Sequence, residues 1–206
     1  MRRFLRQAHV LKRSAAPRVA WVRPGDDIQV LLNGLDEPIA LHLEAGMYPV
    51  FSSPITLSVP GSIIYGYRHA TFQRFVASTA PVFRITARTI LDGIIVDDDA
   101  GSGDAIRVVG AHYSELLNVR VLAGPGGGVT VGNGIYLEGA DNCLLENCVV
   151  GADATRPNPP LGGEIWLDDA SDDCRVSMCD ADGGVISYLG ASGTVSGVNI
   201  PSPTVR

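Results

Sequence analysis

Gly134-Ile-Tyr-Leu-Glu-Gly-Ala-Asp-Asn-Cys-Leu-Leu-Glu-Asn-Cys148 is the stretch that decides the fold. It holds a short alternating run, a Gly-Ala step, a second alternating run and an Asn, and this order of features recurs on both sides of it. Repetition of this kind is the mark of a solenoid, whose units bury their apolar faces on one another. The first run is echoed by Val82-Phe-Arg-Ile-Thr-Ala87, Ala105-Ile-Arg-Val-Val-Gly110, Glu164-Ile-Trp-Leu-Asp-Asp169 and Val185-Ile-Ser-Tyr-Leu-Gly190, each readable as a short strand. The second run, Leu145-Glu-Asn-Cys148, is echoed by Leu91-Asp-Gly-Ile94, Leu116-Leu-Asn-Val119, Val176-Ser-Met-Cys179 and Val195-Ser-Gly-Val198. Its third position is Gly93, Asn118, Asn147, Met178 or Gly197. Gly and Asn accept a left-handed backbone, so a sharp bend is expected there in every coil, with Met178 counting against the bend in its own.

Successive first runs begin 23, 29, 30 and 21 residues apart, at positions 82, 105, 134, 164 and 185. Strands that keep their pattern while the spacing varies place the extra residues in one loop per coil. Those loops are Asp97 to Asp104, Leu122 to Asn133 and Gly151 to Gly163, all on one edge of the solenoid, where such folds carry specificity. The cysteines support the register independently, since Cys143 to Cys174 and Cys148 to Cys179 are both 31 residues apart. Reduced thiols stacked in the core are the favoured reading. A disulfide and a metal site are the alternatives, although zinc ligands usually lie two to four residues apart rather than five.

Composition agrees with a stacked aliphatic core: aromatics make up 6% and charged residues 18% of 206 residues, with 24 glycines for bends. Charge is uneven. Residues 1 to 23 hold seven basic side chains (Arg2, Arg3, Arg6, Lys12, Arg13, Arg18 and Arg23) and no acid, which leaves 16 − 7 = 9 basic against 22 acidic residues, or −13, in the remainder. A basic arm, residues 1–27, on an acidic solenoid, residues 28–206, points to attachment to something negative or to a groove on a partner, with nucleic acid the extreme and unexpected case and a solvated start with helix-favouring residues the alternative. No apolar run is long enough to cross a bilayer. The arm is interrupted by Arg6, His9, Lys12, Arg13 and Arg18, so no apolar secretory core is read in it.

Leu41-His-Leu-Glu-Ala-Gly-Met-Tyr48, Ile55-Thr-Leu-Ser-Val59 and Gly61-Ser-Ile-Ile-Tyr-Gly66 resemble the opening coil of the pectate-lyase-like β-helix superfamily. Leu-Glu-Asn-Cys-Val-Val at 145–150 is similar to its recurring coil with an Asn bend. The resemblance spans residues 28–200 and implies an all-β, right-handed parallel β-helix of about six coils. The superfamily includes lyases, hydrolases, adhesins and phage spikes, so the resemblance identifies architecture and not activity.

Alternation along the first run sorts its side chains. With Phe83, Ile106, Ile135, Ile165 and Ile186 inward, Arg84, Arg107, Tyr136, Trp166 and Ser187 form one outward column, and Thr86, Val109, Glu138, Asp168 and Leu189 form the next. Rings beside carboxylates and arginines suit a sugar, and Arg84 and Arg107 suit an acidic one. Cover by a neighbouring subunit or by the loops is the competing reading for Tyr136 and Trp166. Glu138 and Asp168 share a position on adjoining coils, so their carboxyl groups could stand about 5 Å apart, the geometry of acid and nucleophile in a retaining glycoside hydrolase, with solvated surface or a cation site as the alternatives. Asp168-Asp169 matches an Asp pair of polygalacturonases, but their Asn-Thr-Asp and Gly-His-Gly motifs are missing. Pectate lyases depend on basic residues near bound calcium, whereas the one lysine here is Lys12, in the basic arm. Asp97, Asp98, Asp99 and Asp104, with Gly101 and Gly103 between them, offer hard oxygen ligands for calcium, with a solvated acidic turn as the alternative.

The expectation from sequence is a virion spike or fibre subunit. Residues 1–27 dock onto other virion proteins, and the β-helix binds host surface polysaccharide as a homo-oligomer, a trimer by analogy with phage spikes, released when the host lyses. A polysaccharide depolymerase, hydrolase or lyase, with its site at Glu138 and Asp168 is the alternative. A purely structural particle component is the second.

Overall fold

Each run that repeats in the sequence forms a strand, and each strand pairs in parallel with its counterpart in the neighbouring repeat. In the computed structural model these pairings build an all-β solenoid of about five turns. The structure describes residues 17–32, 35–51, 54–76, 78–98, 103–123, 133–152, 165–181, 187–188 and 193–196.

One sheet holds six strands among the described residues, in the order Ile55–Leu57, Phe83–Ile85, Ile106–Val109, Ile135–Glu138, Ile165–Leu167 and Ser187–Tyr188. Its register sets Phe83 beside Ile106, Ile106 beside Ile135 and Ile135 beside Ile165, the alignment that the repeats require. Ile186 and Leu189 lie outside the described residues. The other sheet runs through Arg18–Val22, Ile39–Leu43, Ser62–Arg74, Thr89–Asp98, Glu115–Leu117, Leu144–Glu146, Cys174–Ser177 and Gly193–Ser196. Gly46–Val50, Arg120–Ala123, Val149–Ala152 and Asp180–Ala181 extend it past the bend of each coil. Arg18–Val22 pairs with Ile39–Leu43, so paired strand begins ahead of the boundary expected near residue 28.

Alternation drives this arrangement. Ile106, Val108, Ile135, Leu137, Ile165 and Leu167 are buried, while the residues between them reach outward. Each fully buried Val, Leu or Ile side chain contributes roughly 1.5–3 kcal/mol. In the early coils rings fill the core, with Phe72 5.2 Å from Tyr48 and 4.7 Å from Phe83 between centroids. The Tyr48 hydroxyl donates to the carbonyls of Val22 and Glu44 at 3.0 and 2.8 Å, which satisfies its polar end inside the core.

The bend is left-handed at Gly93, Asn118 and Asn147, with φ of 70°, 53° and 53°. Met178 makes the same bend at φ 53°, which corrects the expectation that it would not. Parallel pairing on both sides of the bend imposes its geometry, and an exposed, unbranched side chain tolerates it. Three consecutive coils have a further left-handed corner, at Gly110 and Tyr113, Gly139 and Asn142, and Asp173.

A five-residue helix, Ile28–Leu32, covers the open edge of the six-stranded sheet. Asp27 accepts the Val30 N–H at 3.1 Å as its N-cap, and Gln29 Oε1 accepts the Thr56 N–H at 2.7 Å, where no earlier strand is paired among the described residues. The cysteines stack as expected, all four buried and free. Cys174 Sγ donates to the Ala140 carbonyl at 2.9 Å and Cys148 Sγ to that of Leu116 at 3.2 Å. Hydrogen bonding with Cys174, and then burial, pushes the Cys143 thiol up.

Candidate functional site

The outer column of the six-stranded sheet is laid down by register: Thr56 beside Arg84, Arg84 beside Arg107, Arg107 beside Tyr136, Tyr136 beside Trp166 and Trp166 beside Ser187. Arg84 is exposed, and Arg107, Tyr136 and Trp166 are half-buried. All four expected ligand-binding residues therefore stand on one face. Glu138 and Asp168 stand in the neighbouring column, on the strands that carry Tyr136 and Trp166 or just past their ends.

Arg107 is held from three sides. Its Nε donates to Glu138 Oε2 at 2.9 Å, and its Nη2 lies 2.9 Å from the same oxygen. Its Nη1 lies 3.8 Å from Asp104 Oδ2, and the guanidinium carbon sits 5.1 Å from the centre of the Tyr136 ring. Burial pulls the guanidinium pKa down, but the hydrogen bond and charge of Glu138, with Asp104 behind it, leave it above its usual value. Burial, followed by the charges of Asp168 and Glu138, raises the Tyr136 hydroxyl, so this group stays a neutral donor. A fork of fixed N–H donors beside an aromatic face can grip two adjacent hydroxyls, or a carboxylate, of a sugar.

Asp168 has a different setting. Its carboxylate accepts the Gly139 N–H at 3.0 and 3.1 Å, the Ser171 hydroxyl at 2.6 Å and the Ala170 N–H at 3.3 Å. It ties the left-handed corner at Gly139 to the next coil. Sequence register sets Glu138 and Asp168 as direct neighbours, and the structure adds a separate partner set for each.

The acidic loop divides as well. Asp104 Oδ1 accepts both the backbone and side-chain N–H groups of Asn133, at 2.9 and 3.2 Å, and joins the ends of two loops. Asp98 is buried against Arg74, whose Nε lies 2.9 Å away and whose Nη1 donates to the Ser78 carbonyl at 3.0 Å. Gln73 Nε2 donates to Asp97 at 3.4 Å. Asp99 lies outside the described residues, and among the described residues no group of three or more His, Cys, Asp or Glu could hold a metal ion. The loops 99–102, 124–132 and 153–164 also lie outside them.

Sequence reasoning missed the Arg107–Glu138 clamp because its partners sit diagonally, two positions out of register. It also missed a second outward column, Trp21, His42 and Tyr65, on the larger sheet. Alternation in Arg18–Val22 and Ile39–Leu43 was the available signal.

No family model matches the chain, and no curated protein matches it. Among solved structures, the chain is similar to one titled a "putative glycosyl hydrolase" from Parabacteroides merdae ATCC 43184, with a TM-score of 0.56 and 13% identity over 84% of this chain and 87% of that one. At that identity the likeness shows a shared fold alone, a β-solenoid.

Proposed function

We propose that this solenoid is a polysaccharide depolymerase that binds its glycan along the outer column of the six-stranded sheet. In this reading Tyr136 and Trp166 oppose the apolar faces of the sugars. Arg107 grips their hydroxyls, and exposed Arg84 meets the carboxylate of an acidic unit. Glu138 and Asp168 are the carboxyl pair for hydrolysis. The observation that carries the reading is Arg107, fixed between Glu138, Asp104 and the Tyr136 ring before any ligand arrives. The glycosyl-hydrolase title of the structural neighbour supports the class of substrate.

Binding without turnover is the second reading. The four hydrogen bonds on Asp168 favour it, because they give that carboxylate a structural task. Carriage on a particle would add a location to the same face, and the seven basic residues of the arm support an acidic docking partner.

Reducing-end release from polygalacturonate, alginate and hyaluronan tests the proposal. Product formation that Glu138→Gln abolishes supports it. Saturable binding with no product, weakened by Trp166→Ala, assigns the face to adhesion. No binding and no product from any acidic polymer overturns both.

A further inference from the structure

We propose that Trp21, His42, Tyr65 and Tyr67 form a second carbohydrate-stacking site, for neutral pyranose chains, on a different sheet from the proposed depolymerase face. The choice of carbohydrate over another flat ligand rests on that proposed function. The site itself rests on geometry that the first face does not share.

Trp21, His42 and Tyr65 occupy equivalent outward positions on three neighbouring strands. Their rings run nearly parallel: Trp21 to His42 is 4.9 Å between centroids at 27°, and His42 to Tyr65 is 5.1 Å at 25°. Tyr67 joins them at 5.9 Å from His42 and 6.4 Å from Tyr65, at 22° and 28°. Rings in contact are only about 3.5–4.0 Å thick, so centroids this far apart mean that each ring steps sideways past its neighbour. The result is a terrace in which two rings stay largely open to solvent, Trp21 being 65% and Tyr67 56% exposed.

Tyr67 is held there against its backbone preference. Its φ of 47° is unusual for a bulky residue, and it sits in the irregularity where pairing with Thr89–Asp98 shifts between Tyr65 and Ala70. Gly66 fixes this bulge: a Cβ on it would stand 2.7 Å from the Gly93 carbonyl oxygen and from Ile94. The strain has a visible product. It brings the Tyr67 hydroxyl to 2.7 Å from His42 Nδ1, which locks two rings of the terrace together.

The chemistry fits a sugar better than a purely apolar partner. A pyranose offers a C–H face to an aromatic face and a rim of hydroxyls to polar neighbours. Here the rim is His42, the tyrosine hydroxyls and Asp92, which follows Tyr65 in the same column. The column contains no Arg or Lys, so a neutral chain suits it, whereas the first face carries Arg84 and Arg107.

The chain has two tryptophans, Trp21 and Trp166, and each belongs to one face. A Trp166→Phe variant therefore reports from the terrace alone, and Trp21→Phe from the other face. Titration with hydroxyethylcellulose and galactomannan is expected to shift the emission of the Trp166→Phe protein and leave that of the Trp21→Phe protein unchanged. Trp21→Ala is expected to weaken retardation in gels containing these polymers about tenfold. Tyr67→Gly, which removes the ring while easing the backbone, should do the same with an unchanged melting temperature. Reducing-end release from acidic polymers should be unaffected by either. Absence of binding to both neutral polymers, or binding that Trp21→Ala and Tyr67→Gly leave intact, overturns the inference whatever the outcome at Trp166. Concentration-dependent self-association that Trp21→Ala abolishes also overturns it, by assigning the rings to a second copy of the chain.

Discussion

Replacing Met178 with Asn is expected to stabilise the solenoid. Met178 holds φ 53°, a left-handed conformation that costs an ordinary L residue roughly 1–2 kcal/mol and Asn less. Its side chain is 57% exposed, so little apolar burial is lost with it. The position follows Ser177, which pairs with Glu146, so an Asn there would stand beside Asn147. Asn147 Nδ2 already donates to Asn118 Oδ1 at 2.7 Å, and Asn118 Nδ2 to Asp92 Oδ1 at 2.8 Å. Extending that ladder by one bond adds about 0.5 kcal/mol, the low end of the usual range because the site is exposed. Backbone relief and the new bond together come to roughly 1–2 kcal/mol. At about 2–4 °C per kcal/mol for a chain of this size, the melting temperature should rise by roughly 2–8 °C. Scanning calorimetry of the wild type, Met178→Asn and Met178→Gly separates the two contributions. Gly relieves the backbone without a ladder bond and adds unfolded-state entropy, so its gain should be the smaller. A Met178→Asn protein that melts at or below the wild-type temperature would refute the strain assigned to this bend.

Arg74→Met should cost about 3–5 kcal/mol in chemical denaturation, because it removes the cation beside the buried Asp98 carboxylate. Arg74→Met with Asp98→Leu should recover much of that loss, and a double variant no better than the single would argue against a charge effect. Burial, then the charges of Glu44 and Asp26, raises the Tyr48 pKa to about 12 from 10.0. The native state thus keeps a proton that the unfolded chain releases, so this contribution is complete below pH 10 and is lost as pH rises towards 12. A Tyr48→Phe protein should lack that alkaline step in its stability profile. All four cysteines should resist a thiol reagent at pH 8 in the native state and react in denaturant, since they are buried and free. Fast native labelling, or a mass that reveals a disulfide, would contradict the stacked-thiol core.

Register was the most legible property, because a solenoid repeats its chemistry at each level of the stack. The 31-residue separation of both cysteine pairs is a direct consequence of two strands lying one over the other. The bends were legible where glycine or asparagine marks them, and hidden at Met178, where pairing on both sides overrides residue preference. The corners at Tyr113, Asn142 and Asp173 share a conformation but no residue type, so no motif announces them. Ile28–Leu32 is too short for any helical period to emerge. Trp21 was read as part of a basic arm, because the arginines before and after it outweigh the two-residue alternation of a five-residue strand.

The candidate face shows where straight register stops being informative. Stacking Glu138 on Asp168 about 4.8 Å apart, as parallel strands require, sets two like charges close together. A sequence reading can relieve that repulsion with a shared proton or a bound cation, and both lead to a catalytic or metal site. The fold relieves it by divergence: Glu138 turns back to Arg107 on the preceding coil, and Asp168 receives the Gly139 N–H and the Ser171 hydroxyl. Both solutions use the same residues at the same positions, and they differ only in diagonal contacts that alternation does not encode. Enzyme and binding protein therefore diverge at one point, whether an arriving sugar draws Arg107 away from Glu138. If it does, Glu138 is released onto the ligand; if it does not, the pair remains a fixed grip on hydroxyls and the face binds without cleaving.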